Sequence, residues 1–148
     1  MARIEFDVPT KLSPEKVKAM FLDFSDGRPD TWPGLGRNQY EVYSIGDTSA
    51  EIREGNKRPN VWARERYDWS KPGIVRWEVV ESNFSAPGSF LEAHLKPRED
   101  GGTTVHIIWS RTPTSLMGKI ALGVIRVTKG GPVKASMRAA FKKAETSS

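Results

Sequence analysis

Two side chains that lie two residues apart, Glu65 and Tyr67, carry the polar groups best suited to chemistry. A β-strand directs both to the same face, and most other residues predicted on that face are apolar. A carboxyl group in apolar surroundings has a raised pKa, so Glu65 could act as a general acid or base, or hydrogen-bond a ligand hydroxyl. A structural role stays open, in which Glu65 pairs with a nearby arginine or lies in water at a rim. The arginines considered are Arg3, Arg64 and Arg66.

The two histidines of the sequence, His94 and His106, would meet across a pair of strands. If Leu95 pairs with Val105 in antiparallel register, His94 lies opposite His106. The same register places both rings on the face opposite the apolar residues, which favours solvated surface histidines over a catalytic or metal-binding pair. The sequence has no cysteine, which excludes disulfides, a thiol nucleophile and a zinc–thiolate site. We therefore expect no metal and no cofactor.

The length of 148 residues favours a single domain over residues 1–148, large enough to bury a core. The first residues include acids where a signal peptide would need an apolar run. No uncharged segment approaches the about 20 apolar residues of a membrane span. We therefore expect a cytoplasmic protein without a transmembrane segment.

Alternation of apolar residues predicts an antiparallel sheet between residues 40 and 112, preceded by a strand over residues 2–8. Matching the apolar faces pairs Tyr67 with Trp77. The same register extends the apolar face across four strands, with Glu65 and Glu81 as its acidic exceptions. Between the first strand and the sheet, Ser13 and Pro14 are typical of a helix start, and a second short helix or ordered loop surrounds Trp32.

The stretch from Thr114 to Ala144 has apolar residues at the spacing of one helix face, which predicts a long amphipathic helix with a kink or brief break at residues 130–132. Its apolar face needs a partner, and the curved sheet is the natural one. The opposite face is basic, since residues 115–148 hold seven Lys or Arg and one acid. No aromatic residue accompanies these cations, so we expect no specific nucleic-acid partner. Transient contact with an anionic membrane surface stays open.

The order of strand, two short helices, six strands and long helix resembles the START/Bet v 1-like superfamily, in particular the polyketide cyclase/dehydrase and lipid-transport (SRPBCC) group. The likeness covers essentially the whole chain. It rests on Pro14 to Phe24 followed by Trp32-Pro33-Gly34, on Arg64 to Trp69 with Pro72, and on the glycine-interrupted last helix. The resemblance implies an α+β helix-grip fold, in which a curved antiparallel sheet wraps around the long C-terminal helix and encloses an apolar cavity. Members bind or transfer lipids, sterols, polyketides and other hydrophobic molecules, and some catalyse cyclisation or dehydration.

We therefore predict a protein that binds or transports a small hydrophobic ligand, such as a lipid, a polyketide or an aromatic compound. The alternative is a polyketide cyclase or dehydratase that uses Glu65 and Tyr67 as the polar groups of its cavity. Aromatic side chains line apolar ligand pockets, but they also fill ordinary cores, and both interpretations stay open for each of them. The predicted ligand-binding residues are Phe21, Phe24, Trp32, Glu65, Tyr67, Trp69, Trp77, Val79, Leu91, Trp109, Met117, Ala121 and Val124. Neither the ligand's identity nor the oligomeric state follows from the sequence.

Overall fold

A computed structural model describes residues 2–32, 34–56 and 60–147. In this part of the chain seven strands form one antiparallel sheet, in the order β1-β7-β6-β5-β4-β3-β2. The strands are β1 Ala2–Thr10, β2 Glu41–Ile45, β3 Ser49–Asn56, β4 Val61–Asp68, β5 Ile74–Ser82, β6 Phe90–Pro97 and β7 Thr103–Arg111. The helices are α1 Pro14–Phe21, α2 Arg28–Thr31, α3 Leu116–Val127 and α4 Gly131–Ser147, with a 3-10 turn at Arg37–Gln39.

Helix α1 begins where the sequence predicts it to begin. The side chain of Ser13 accepts a hydrogen bond from the Lys16 backbone N–H at 3.3 Å, and Pro14 occupies the first helical position. The second short helix is a single turn, α2. It places Trp32 against Phe21, with ring centroids 5.1 Å apart. Phe21 at the end of α1 belongs to the apolar core, and Trp32, directly after α2, packs against that core.

The register of the sheet follows the alternation of apolar residues. Leu95 pairs with Val105 between β6 and β7, and Tyr67 pairs with Trp77 between β4 and β5. Both pairings confirm the prediction from the sequence. Because a slip of one residue would turn a whole strand over, burial of one apolar face is sufficient to select this register.

A β-bulge between β4 and β5 moves one predicted inward residue to the outside. Arg64 pairs with Glu81, whereas Glu65 pairs with Val79, so β5 holds one extra residue at this point. Glu81 is exposed. The prediction that Glu81 shares the apolar face is therefore wrong, since strict alternation does not continue through a bulge.

The C-terminal helix is broken, as the sequence predicts, between α3 and α4. Gly130 lies in the break with a φ of 83° and is buried. A Cβ atom at this position would lie 2.7 Å from Cδ1 of Ile4 and 2.9 Å from Cε1 of Phe6, both on β1. Glycine therefore allows the chain to turn between the helices while it touches the sheet.

Helix α4 lies against the inner face of the sheet. Met137 and Phe141 are buried in the same apolar cluster as the inward residues of the strands. The ring of Phe141 also meets Phe21 edge to face, with centroids 6.2 Å apart. The core is thus closed by α1 at one side and by α4 across the sheet.

Helix α3 exposes a row of apolar side chains, so the prediction of one continuous buried face is wrong in this part. The exposed residues are Leu116, Ile120, Val124 and Val127. The helix carries charges only at Lys119 and Arg126, and a helix that is apolar almost all round exposes apolar residues wherever it lacks a partner.

Among the helices of the described residues, none has both the length and the apolar character that a membrane span requires.

The contact of Gly130 with β1 can be tested by adding a methyl group. Gly130→Ala should lower the free energy of unfolding by about 1–3 kcal/mol more than Gly101→Ala, because the added methyl overpacks against the strand. Gly101 is the matched control: its φ is 86°, and an added Cβ meets no atom within 4 Å. Urea unfolding measures both variants. Equal losses would contradict the contact assigned to Gly130.

Candidate functional site

A cavity of about 460 Å³ lies between the inner face of the sheet and α4. Aromatic and aliphatic side chains form much of its wall, among them Phe21, Trp77, Leu91 and Trp109. Ligand pockets in proteins commonly measure about 300–1,000 Å³ and have mostly apolar walls with a few polar groups. The volume of this cavity lies within that range, and its wall has the same mixture of apolar and polar groups.

The mouth of the cavity is marked by lining residues that are exposed to solvent. They are Gly34 after α2, Asn56 at the end of β3 and Pro132 at the start of α4. A ligand would therefore enter between these three elements. Residues 57–59, which follow Asn56, lie outside the described part of the chain.

The structure brings together about half of the predicted site residues in the lining of this cavity. Those in the lining are Phe21, Trp32, Glu65, Tyr67, Trp77, Leu91 and Trp109. The side chains of Met117 and Ala121 lie outside what the structure describes. A role in ligand binding stays a prediction for the seven lining residues as well as for Met117 and Ala121.

Four predicted site residues lie elsewhere. Phe24 and Trp69 pack together behind Tyr67, with the Phe24 ring edge-on to Tyr67 at 5.2 Å. Val79 is buried in β5 outside the cavity lining, and Val124 is exposed on α3. Val79 and Val124 lie on the predicted strand and helix, whereas Phe24 follows the end of α1 and Trp69 follows the end of β4. The sequence pattern could not separate the lining of a cavity from the packed or exposed residues beside it.

The first of two buried ion pairs in the wall joins Arg28 to Glu54. Arg28 Nε lies 2.5 Å from a Glu54 carboxylate oxygen, and Nη2 donates to the Tyr67 hydroxyl at 3.0 Å. Nη1 donates to the backbone carbonyls of Phe21 and Asp23, both at 2.9 Å. The Tyr67 hydroxyl in turn donates to Glu54 at 2.8 Å. This closed network ties the C-terminal end of α1 to β3 and β4.

The charges of this network keep Arg28 ionised and Tyr67 neutral. Burial alone would lower the pKa of Arg28, but the negative charge of Glu54 and the hydrogen bonds to Glu54 and Tyr67 outweigh it and the pKa is raised. Burial and the negative charge of Glu54 raise the pKa of Tyr67 well above its ordinary value. The Tyr67 hydroxyl is therefore protonated at neutral pH and is committed to the network.

The second buried ion pair joins Glu65 to Arg111, and its contacts are longer. Arg111 Nη2 lies 3.5 Å from Glu65 Oε2, and Nη1 donates to Ser85 Oγ at 3.2 Å. Both charged side chains line the cavity. The structure thus corrects the choice of partners made from the sequence. Arg64 instead hydrogen-bonds to the carboxylate of Glu51 on β3, and neither residue lines the cavity.

Glu65 lies in surroundings that hold its proton unusually strongly. Burial raises the pKa of Glu65, and the positive charge of Arg111 opposes this effect only in part. The carboxylate of Glu54 raises the pKa further and Arg28 lowers it, which leaves a value of about 7. Glu65 is therefore divided between its protonated and ionised forms near neutral pH, and could donate or accept a proton there.

Sequence reasoning missed three of the four charged groups in the wall. Arg111 follows Trp109 by two residues, so it continues the inward alternation of β7, and Glu54 does the same after Ile52 in β3. These two could have been found if the strands had been extended to their true ends. Arg28 lies in a segment rich in Gly, Pro and Asp and gives no periodic signal.

The two histidines face outward, as predicted. His94 contacts Glu92 at 2.9 Å, and His106 contacts Asp7 at 2.7 Å and Glu5 at 3.1 Å. Their rings are 6.1 Å apart on the side of the sheet away from the cavity. In the described part of the chain, no group of three or more histidine or acidic side chains could hold a metal ion.

Solved structures similar to this chain span nearly its whole length. No protein-family model and no curated protein matches the sequence. The Zhui aromatase/cyclase of a Streptomyces species matches with a TM-score of 0.77 and 14% identity, covering 97% of this chain and 93% of that one. A START superfamily protein from Mycobacterium smegmatis matches with a TM-score of 0.74 and 8% identity, covering 97% and 99%. This chain has the START/Bet v 1-like helix-grip fold.

A third solved structure is similar over nearly the whole of this chain. Norcoclaurine synthase from Thalictrum flavum, solved in complex with dopamine and hydroxybenzaldehyde, has a TM-score of 0.68 and 13% identity to this chain. The match covers 98% of this chain and 86% of that one. At such identities the likeness establishes the fold, while the function has to be argued from the cavity.

Removal of Arg28 should be strongly destabilising. Arg28→Met leaves the carboxylate of Glu54 largely buried without its cation, and breaking a buried pair in this way costs about 3–5 kcal/mol. Arg37→Met is the control, because Arg37 and Asp30 form an exposed pair with side chains 63% and 68% accessible. Exposed pairs contribute about 0–1 kcal/mol. Urea unfolding should show this contrast, and similar losses in both variants would contradict a structural role for Arg28.

The raised pKa of Glu65 predicts a pH dependence of folding. The folded state binds the proton more strongly than the unfolded chain, whose pKa lies near the ordinary 4.5. The resulting stabilisation is complete below about pH 4.5 and is lost as the pH rises to about 7, on the order of 3 kcal/mol in total. Glu65→Gln should remove this decline, because the amide does not titrate. The assignment would be contradicted if the free energy of unfolding changed with pH by the same amount in the wild type and in Glu65→Gln between these two pH values.

Proposed function

We propose that this protein binds a small hydrophobic ligand in the cavity between the sheet and α4. The observation that carries the proposal is a cavity of about 460 Å³ with apolar, aromatic walls and a small set of buried polar groups. Such a combination favours a ligand that is mostly apolar and carries one or two polar atoms. Lipids, polyketides and aromatic compounds all belong to this class.

For a ligand that carries a hydroxyl or carbonyl group but no charge, Glu65 is the polar group of the wall best suited to orient it. It is buried, it lines the cavity, and its nearest charged partner lies at 3.5 Å. Near neutral pH its carboxyl group can donate a hydrogen bond when protonated or accept one when ionised. It therefore suits a ligand hydroxyl or carbonyl group.

A cyclase or dehydratase is the second candidate, and the properties of Glu65 favour it. A general acid or base works best with a pKa near the operating pH, and the pKa of Glu65 is about 7. Two of the similar structures are an aromatase/cyclase and norcoclaurine synthase. The hydroxyl of Tyr67, however, is held between Arg28 and Glu54. We rank ligand binding first because it requires the cavity alone.

Native mass spectrometry of gently purified protein provides the direct test. A co-purified small molecule would identify the ligand, and incubation with that molecule would then reveal any turnover. A chemical change that requires Glu65 and is lost in Glu65→Gln would favour the enzyme. Retention of the unchanged molecule would favour the binding protein.

Filling the cavity should abolish most of the binding. Ala63 lines the cavity from β4, so Ala63→Leu occupies space that the ligand needs. Overpacking costs about 1–3 kcal/mol, which corresponds to about 5- to 150-fold weaker binding of a polarity-sensitive fatty-acid probe. Ala135→Leu, at an exposed position on α4, is the control. Fluorescence titration measures both variants, and unchanged affinity in Ala63→Leu would show that the probe binds elsewhere.

A further inference from the structure

The two buried ion pairs of the cavity wall differ in how completely their arginines are bonded. From this difference we infer that Arg111 recognises the ligand, and that the ligand is an amphiphilic monoanion whose carboxylate replaces Glu65 as the partner of Arg111. The inference rests on the proposed function, because it assumes that a ligand occupies the cavity. It adds the chemical class of that ligand and a proton that is bound with it.

Arg28 has little capacity left for a ligand. Its guanidinium donates hydrogen bonds to Glu54, Tyr67 and two backbone carbonyls, at 2.5–3.0 Å. These hydrogen bonds join the start of α2 to β3, to β4 and to the end of α1. A ligand that displaced them would also release the end of α1, so this arginine is structural.

Arg111 is bonded much less tightly. Within the described part of the chain its guanidinium has two polar contacts, at 3.2 Å to Ser85 and 3.5 Å to Glu65. Charge-assisted hydrogen bonds between a guanidinium and a carboxylate are typically about 2.7–2.9 Å long and often bidentate. The contact with Glu65 falls short of this geometry. An incoming carboxylate could therefore form stronger bonds to Arg111 than Glu65 does.

The surroundings of Arg111 favour an anion with an apolar body. The rings of Phe84 and Trp109 lie 5.3 and 5.7 Å from the centre of the guanidinium. Beyond them the wall continues with Trp77 and Leu91. A carboxylate bound to Arg111 would be shielded from water, while its apolar tail would lie along the aromatic wall.

Charge balance couples this anion to the protonation of Glu65. Glu65 faces Arg111 of β7, Glu54 of β3, Arg28 at the start of α2, and Tyr67 on its own strand. The described lining residues of α4 are uncharged. With Glu65 ionised, the two arginines and two glutamates are neutral together, whereas protonated Glu65 leaves one positive charge. A monoanion complements only the protonated state, so binding takes up a proton and weakens as the pH rises.

The test compares matched ligands that differ in charge. A dansyl-labelled medium-chain fatty acid, its methyl ester and the matching alkyl sulfonate are titrated into the wild-type protein between about pH 6 and pH 8. At about pH 6 the acid and the sulfonate should bind about tenfold more tightly than the ester. Their affinity should fall by up to about tenfold per pH unit above about pH 7, since one proton is linked to binding. The sulfonate stays ionised throughout, so its pH dependence reports on the protein.

Three variants assign the effect to its residues. Arg111→Gln should reduce binding of the sulfonate to the level of the ester. Glu65→Gln should retain tight binding of the sulfonate and remove its pH dependence. Arg66→Gln, an exposed arginine on the outer face, is the control and should behave as the wild type. If Arg111→Gln does not fold, Arg111→Gln combined with Glu65→Gln replaces the pair with two neutral amides.

The outcomes separate the inference from the proposed function. Saturable binding of all three probes with equal, pH-independent affinity would overturn the inference and leave the proposed function standing. Tight binding of the sulfonate that persists in both Arg111 variants would also overturn the inference. Failure of every probe to bind would contradict the proposed function itself.

Discussion

Compensation of buried charge is the constraint on which the cavity depends. Two arginines and two glutamates line the cavity among apolar side chains. An isolated buried charge would cost several kcal/mol there. Each charge is tolerated because an opposite charge from another element lies next to it: Arg28 beside Glu54, and Arg111 beside Glu65. The positions of the strands and of the loop before α2 are thus coupled through these pairs.

The two pairs differ in the work that they do for the fold. The pair of Arg28 and Glu54 is closed by Tyr67 and by backbone carbonyls, which makes it part of the framework. The pair of Arg111 and Glu65 lies on the cavity surface with long contacts, and burial raises the pKa of Glu65 to about 7. One sheet face therefore combines a rigid anchor with a polar group that can respond to a ligand.

Aromatic side chains of the cavity wall stack on one another in pairs. Tyr67 stacks on Trp77 with centroids 4.9 Å apart, and Phe21 stacks on Trp32 at 5.1 Å. Large planar side chains that pack against their neighbours lose little further freedom when a ligand binds, and they resist collapse into the empty space. The break at Gly130 then lets α4 settle on the sheet independently of α3, whose outer side remains apolar and exposed.

The sequence by itself determined the strands, their inward faces and the start of α1, because these depend on local periodicity and on capping residues such as Ser13. It also identified Glu65 as a carboxylate within an apolar face. The tertiary structure alone decided what that carboxylate does. Its partner Arg111 is 46 positions away in the chain, and the pairing of Arg28 with Glu54 joins the first residue of α2 to β3. The bulge that turns Glu81 outward was equally hidden. Periodicity records which side of a strand is buried, whereas the contacts of a charge depend on distances that only the folded chain sets.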